Sequence, residues 1–155
     1  MSGFTVQVEF DDADFARVCN TLIERGLRVR PLMASIGEAL VESTEKRFST
    51  KIAPDGQSWL PLKKRTLARK AGKGSILVLH GYLRDLLRAE PSEEDVVVGS
   101  AEEYSALHQF GGTPGMPAGP AAVPARSFLG ISTADADTIR QLAIDYLDDA
   151  LSASP

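Results

Sequence analysis

Chemistry at neutral pH needs a titrating or nucleophilic side chain held beside a partner, and few residues of this chain qualify. The histidines are His80 and His108, and the single cysteine is Cys19. His108 stands in Tyr104-Ser105-Ala106-Leu107-His108-Gln109-Phe110-Gly111-Gly112, ahead of a Gly/Pro-rich run. Imidazole is the side chain whose charge changes near neutrality, and Ser105 lies three residues earlier, within reach on a helix. A nucleophilic serine also needs an orienting acid and a sharp glycine elbow to expose it, and no such elbow surrounds Ser105. A metal site would want a second His or Cys at ligand spacing, and no His/Cys/Asp cluster has one. Gly72-Lys73-Gly74-Ser75 resembles the tail of a phosphate-binding loop but lacks its first glycine and the preceding strand. Cys19 falls on an apolar helical stripe and reads as a small core residue. His108 reads as a histidine hydrogen-bonded into the core near Tyr104 and Phe110. The expectation is a chain that is not an enzyme, with no catalytic, metal-binding or cofactor-binding residue and no cofactor.

Arg126 is the more informative charge. It stands in Pro124-Ala125-Arg126-Ser127-Phe128-Leu129-Gly130, between an apolar loop and an apolar pair. Its planar fork of donors is expected to be fixed by a carboxylate or by backbone carbonyls. It would then either hold the loop's return to the body of the domain or cross a subunit boundary.

Several elements must position these residues. Phe4, Val6, Val8 and Phe10 alternate with polar residues, which predicts a half-buried strand. Asp11 and Asp12 can cap a helix carrying Phe15, Val18, Cys19, Leu22 and Ile23 on one face, ended by Gly26. A longer helix starts near Pro31, with Leu32, Ile36, Leu40, Thr44 and Phe48 four apart, and stops before a Pro54-Asp55-Gly56 turn. Trp59 reads as a core or lid aromatic in preference to an exposed anchor for a partner. Thr66, Leu67 and Ala68 allow a short helix, ended by Gly72 and Gly74. Ile76 to Leu79 is an apolar run, and Tyr82, Leu83, Leu86 and Leu87 fit a short helix, or a helix passing into a strand. A hairpin follows through residues 86–99, with Val96, Val97 and Val98 as a strand stopped by Gly99-Ser100. Tyr104, Leu107 and His108 share a helical face, and Gly111-Gly112 breaks that helix. Residues 112–124 hold Gly and Pro and no charge, which reads as loop. Ser132 or Thr133 caps a last helix with Ile139, Leu142, Ala143, Tyr146, Leu147 and Ala150 on its apolar face.

At 155 residues the chain reads as one domain, 1–155, able to bury roughly 68–70% of its unfolded surface. No stretch reaches the ~18 apolar residues that span a bilayer, and the first residues do not form a secretory signal. One cysteine fits a reducing compartment, so a cytoplasmic site of synthesis is expected, with no membrane partner. Net charge is −4, which argues against nucleic-acid binding by the surface as a whole. The distribution is uneven, however. Lys63, Lys64, Arg65, Arg69, Lys70 and Lys73 form a run without an acid, while Asp135, Asp137, Asp145, Asp148 and Asp149 gather near the C-terminus. Such polarity suits either two solvated faces or charge-complementary contact between copies.

Four of these stretches, in order, resemble the phage virion morphogenesis family. The long helix ending in Arg47-Phe48 is followed by Pro54-Asp55-Gly56-Gln57-Ser58-Trp59-Leu60-Pro61-Leu62, similar to that family's tryptophan turn. Thr66-Leu67-Ala68-Arg69-Lys70, the His108 stretch and the Arg126 stretch resemble its later motifs. Ser127 departs from a usual proline, and His80 from a small polar residue. The resemblance implies an α+β fold: helices packed against a small, mainly antiparallel β-sheet, with a long flexible Gly/Pro-rich loop at 111–125. It also implies a structural role that completes or caps the tail and supports head–tail joining. The protein would act as a ring oligomer, often a hexamer, beside tail-tube and head-connector proteins. Assembly would occur in the host bacterial cytoplasm, and the final place would be the head-proximal end of the tail. Under that reading Gly111, Gly112, Pro114, Met116, Pro124, Arg126 and Phe128 are interface candidates. The basic run would face transiting DNA, touching phosphates without reading sequence. The alternative is a small DNA-binding or DNA-processing factor using the 63–73 basic segment.

Overall fold

Helix capping and apolar spacing lay out most of the chain, described by a computed structural model for residues 10–71, 76–77, 82–100, 102, 104–118 and 122–153. Helix α1 (Ala13–Glu24) begins where the Asp12 carboxylate accepts from the Phe15 N–H, and it ends in Gly26 at φ 68°. Helix α2 (Arg30–Thr50) starts with proline in its first turn and stops at Lys51 in the left-handed region. Glu93 caps α2 from a distance, accepting from the N–H groups of Val29 and Arg30. These donors and the helix dipole, with Arg28 behind them, hold the Glu93 carboxyl below its ordinary range.

Short elements follow: α3 (Lys64–Lys70), α4 (Tyr82–Asp85), the antiparallel pair β1 (Leu87–Pro91) and β2 (Val96–Ser100), α5 (Ser105–Phe110) and α6 (Thr133–Ser152). Leu87 pairs with Ser100 and Pro91 with Val96, the turn being tied by Ser92 to Asp95. Ser132 caps α6 in a reciprocal box with Asp135. The result is α+β, as the family resemblance implies.

Two cores lie along α2. The first joins Val18 and Leu22 of α1, Leu32, Met33 and Ile36 of α2, and Ile139 and Ala143 of α6. The second gathers Phe48, Trp59, Leu83, Leu87, Phe128 and Leu129. Phe48 meets Trp59 edge-on at 5.6 Å between centroids and Phe128 at 5.7 Å. Trp59 is a core aromatic, as its sequence context suggests.

Some expectations change. Ile23 is 62% exposed and leaves the α1 core stripe, because Val18 and Leu22 already face α6. β2 runs on through Gly99 and Ser100, whose backbone groups keep pairing with Arg88 and Leu87. The predicted N-terminal strand falls almost wholly on residues 1–9, outside the described residues, though Phe10 packs on the first core. Gly72 to Ser75 and His80 also lie outside them. α3 ends at Ala71, itself left-handed at φ 48°. Of the apolar run, Ile76 and Leu77 pack against the second core.

Helix α2 approaches the hairpin closely at Gly37. A Cβ there would stand 2.7 Å from Ala89 Cβ and 2.8 Å from Val96 Cγ2. Gly37→Leu should therefore lower stability by about 1–3 kcal/mol through overpacking. Urea denaturation should show a lower midpoint with an unchanged slope; an unchanged midpoint would mean the hairpin yields freely.

Candidate functional site

The histidine and arginine stretches that stood out in the sequence lie side by side. α5 carries His108 and Gln109 to Gly111, and the returning chain 123–129 crosses beneath it. The Gly112 N–H donates to Val123 O at 2.8 Å, and the Arg126 N–H to His108 O at 2.7 Å. Ser127 Oγ adds a bond to Gln109 O at 3.3 Å. Gln109 is buried and uses both ends of its amide: Nε2 donates to Leu129 O, while Oε1 accepts from the N–H groups of Phe128 and Leu129. Gly111 sits at the crossing with φ 79°, and a Cβ there would lie 2.8 Å from Ala125 N. Only glycine meets both constraints.

Arg126 is fixed by backbone carbonyls. Its Nε donates to Leu60 O at 2.8 Å and Nη2 to Pro61 O at 3.2 Å. Trp59 Nε1 donates back to Ser127 O at 2.8 Å. The tryptophan turn and the returning chain are thus laced together. Asp55 Oδ1 accepts from the Gln57 N–H and steadies the turn before it.

Arg47 closes the frame. Its Nη1 donates to Phe128 O at 2.7 Å and Gly130 O at 3.3 Å, and its Nη2 pairs with the Asp135 carboxylate inside the protein. Burial works against the guanidinium charge, and Asp135 supports it. Asp135 simultaneously accepts from the Ser132 N–H, so one carboxylate caps α6 and balances the arginine.

These placements sort the interface candidates. Phe128 is fully buried, Arg126 is 6% exposed, and Gly111 is buried. They hold the loop's base from inside the chain, because their donors, ring and backbone are already engaged there. Gly112 and Pro124 are half-buried at the neck, while Pro114 and Met116 are exposed on the loop it closes. Lys63, Lys64, Arg65 and Arg69 are exposed on α3, Lys70 is half-buried beside Arg126, and Lys73 lies outside the described residues.

The chemistry suspected at His108 takes another form. Ser105 is fully buried and its hydroxyl donates to Glu102 O at 2.6 Å, not to the imidazole. His108 Nδ1 is buried without a hydrogen-bond partner, and Tyr104 stands edge-on at 5.8 Å. Burial, then the charges of Arg126 and Lys70, push the His108 pKa below its ordinary value and keep the ring neutral. Among the described residues no His/Cys/Asp/Glu group could hold a metal ion, and no helix is long and apolar enough to cross a membrane.

Spacing alone assigns no role to Arg47 or Gln109, and Asp135, grouped in the sequence with acids of a solvated or inter-copy face, is instead buried against Arg47. One signal was present for Arg47: it lies three residues after Thr44, which turns a charge onto the buried face of α2.

With this geometry in place, the likeness to known proteins can be read residue by residue. The profile of the phage virion morphogenesis family matches residues 10–148, which takes in every member of the frame. The chain belongs to the phage virion morphogenesis family. It is 36% identical over 125 residues to the putative capsid assembly protein G of Escherichia phage Mu, covering 76% of this chain and 80% of that one. It is 28% identical over 142 residues to the Mu-like prophage FluMu G protein 2 of Haemophilus influenzae, covering 91% and 95%. No solved structure matches the chain. As a member of this family it is a phage-related structural protein of virion assembly, and its motif residues form the internal frame described above.

Two outcomes test the frame. Arg47→Met should cost about 3–5 kcal/mol, because it strands a buried carboxylate. Adding Asp135→Asn should recover part of that loss in chemical denaturation; an equal loss in the single and double variants would assign the cost to the carbonyls alone. The second test is pH. A folded-state pKa below the ordinary 6.5 means the unfolded chain binds the extra proton first. The His108 contribution is therefore full above that value and fades as pH falls toward the depressed one. His108→Gln should flatten this acid limb between the two values, and a parallel pH profile for both proteins would refute the assignment.

Proposed function

We propose that this protein completes or caps the phage tail and supports head–tail joining, acting as a ring oligomer and without catalysis. The observation that carries the reading is the frame itself. A half-dozen hydrogen-bonded crossings fix the base of an uncharged, exposed loop that includes Pro114 and Met116, which makes that loop a surface offered to a neighbour. Fixing the base reduces the entropy lost when the loop orders against a partner. Membership in a virion morphogenesis family, and likeness to a protein named for capsid assembly, support the same role. A hexameric ring would seat this surface against tail-tube and head-connector proteins at the head-proximal end of the tail, after assembly in the host cytoplasm.

A phage or prophage lacking the gene should accumulate filled heads and defective tails that fail to join. Electron microscopy of induced lysates reads this directly. Normal infectious particles in the absence of the protein would sink the proposal.

A further inference from the structure

Charges at the start of α3 and at the end of α6 oppose their own helices. Helix α3 opens with Lys63 as its N-cap and Lys64 in its first turn, with no acid there and no side-chain cap. Helix α6 closes through Asp148 and Asp149 with no basic residue in its last turn. Both arrangements oppose the helix dipole, which favours acids at the N-terminus and bases at the C-terminus.

Among the described residues neither set is balanced. Among the described residues no ion pair joins Lys63, Lys64, Arg65 or Arg69 to an acid, nor Asp148 or Asp149 to a base. Asp145 bonds only the neutral amide of Gln141. Arg28, near the end of α6, is already paired with Glu93.

Geometry keeps the two sets apart. α6 runs antiparallel to α2: Asp135 meets Arg47 at one end, and Tyr146 Oη donates to Arg28 O at the other. The acidic end of α6 therefore lies at the start of α2. α3 lies at its far end, next to Arg126 and the tryptophan turn. The 21 residues of α2 separate them by about 30 Å at 1.5 Å per residue.

Each patch also carries exposed aliphatic residues. Thr66 and Lys70 are the less exposed positions of α3, four apart, which leaves Leu67 (54% exposed) among Lys63, Lys64 and Ala68. On α6, Ile144, Asp148 and Leu151 follow at four and three residues along one exposed stripe.

We infer that α3 of one copy docks on the C-terminal half of α6 of the next, Leu67 meeting the Ile144–Leu151 stripe between Lys63, Lys64 and Asp145, Asp148. Two different patches on one chain make a head-to-tail contact, and such a contact closes into a ring when its rotation permits. The inference rests on the oligomeric reading above and supplies its subunit interface.

The test exchanges charges, and each exchange suits its own helix dipole, so folding is not put at risk. Asp145→Lys with Asp148→Lys gives a chain that is basic at all four contact positions; Lys63→Glu with Lys64→Glu gives one that is acidic at all four. In sedimentation velocity at low salt the wild type should assemble beyond one chain and dissociate as salt rises. Either variant alone should stay monomeric with an unchanged thermal melt. Mixing the two variants, or combining all four changes in one chain, should restore assembly. Wild-type assembly that both exchanges leave intact overturns this interface while the ring reading stands. A wild type that is monomeric at every concentration overturns both. Loss of duplex DNA binding by the Lys63→Glu/Lys64→Glu chain, with assembly intact, would assign α3 to nucleic acid instead.

Discussion

A single buried guanidinium ties the fold together. Arg47 leaves the last turn of α2 and reaches the backbone of the returning chain at Phe128 and Gly130, while its other nitrogen pairs with Asp135 at the start of α6. A buried charge is costly unless it is paired and its donors are satisfied, so the sites Arg47 requires are fixed relative to one another. Thr44 and Ser43 add further bonds from α2 itself. The position of Phe128 against Phe48, which itself meets Trp59, depends on this arrangement, and with it the second core.

Around that point the remaining polar side chains act as cross-ties. Gln109 fixes α5 to Phe128 and Leu129, and Arg126 fixes the same chain to Leu60 and Pro61. Each buried side chain finds partners for its own polar atoms on the backbone of a neighbouring segment. The histidine belongs to the same framework as a neutral, half-buried ring next to two cations. A stretch with the composition of an active site is here the anchorage of a loop, and the loop's exposed portion carries no charge. The stretch is thereby divided between neighbouring residues: Gly111, Arg126 and Phe128 are buried, while Pro114 and Met116 are exposed.

The helix dipoles extend this division to the outer surface. α1 and α6 each begin with a side-chain cap, and Glu93 supplies one to α2 from the hairpin turn. The basic start of α3 and the acidic end of α6 run against the dipoles of their own helices, as the Glu24 end of α1 does.

The sequence by itself determined the local elements. The apolar spacing of α2 and α6, the Asp12 and Ser132 caps, the stop at Gly111 and the hairpin around Val96 depend on neighbours within a few residues, where propensity and capping act. Its ordered motifs also determined the family. What only the tertiary structure decided is the use of the polar residues. Arg47 finds Phe128 and Asp135 more than eighty positions away, and Gln109 turns inward although its type favours the surface. An arginine or glutamine reads the same in sequence whether it faces solvent or a buried carbonyl, because its partner comes from chain folding and not from spacing. That is why the interface candidates Arg126 and Phe128 proved to be internal, whereas the basic run and the C-terminal acids were legible as opposite charges and only the fold set them at opposite ends of α2.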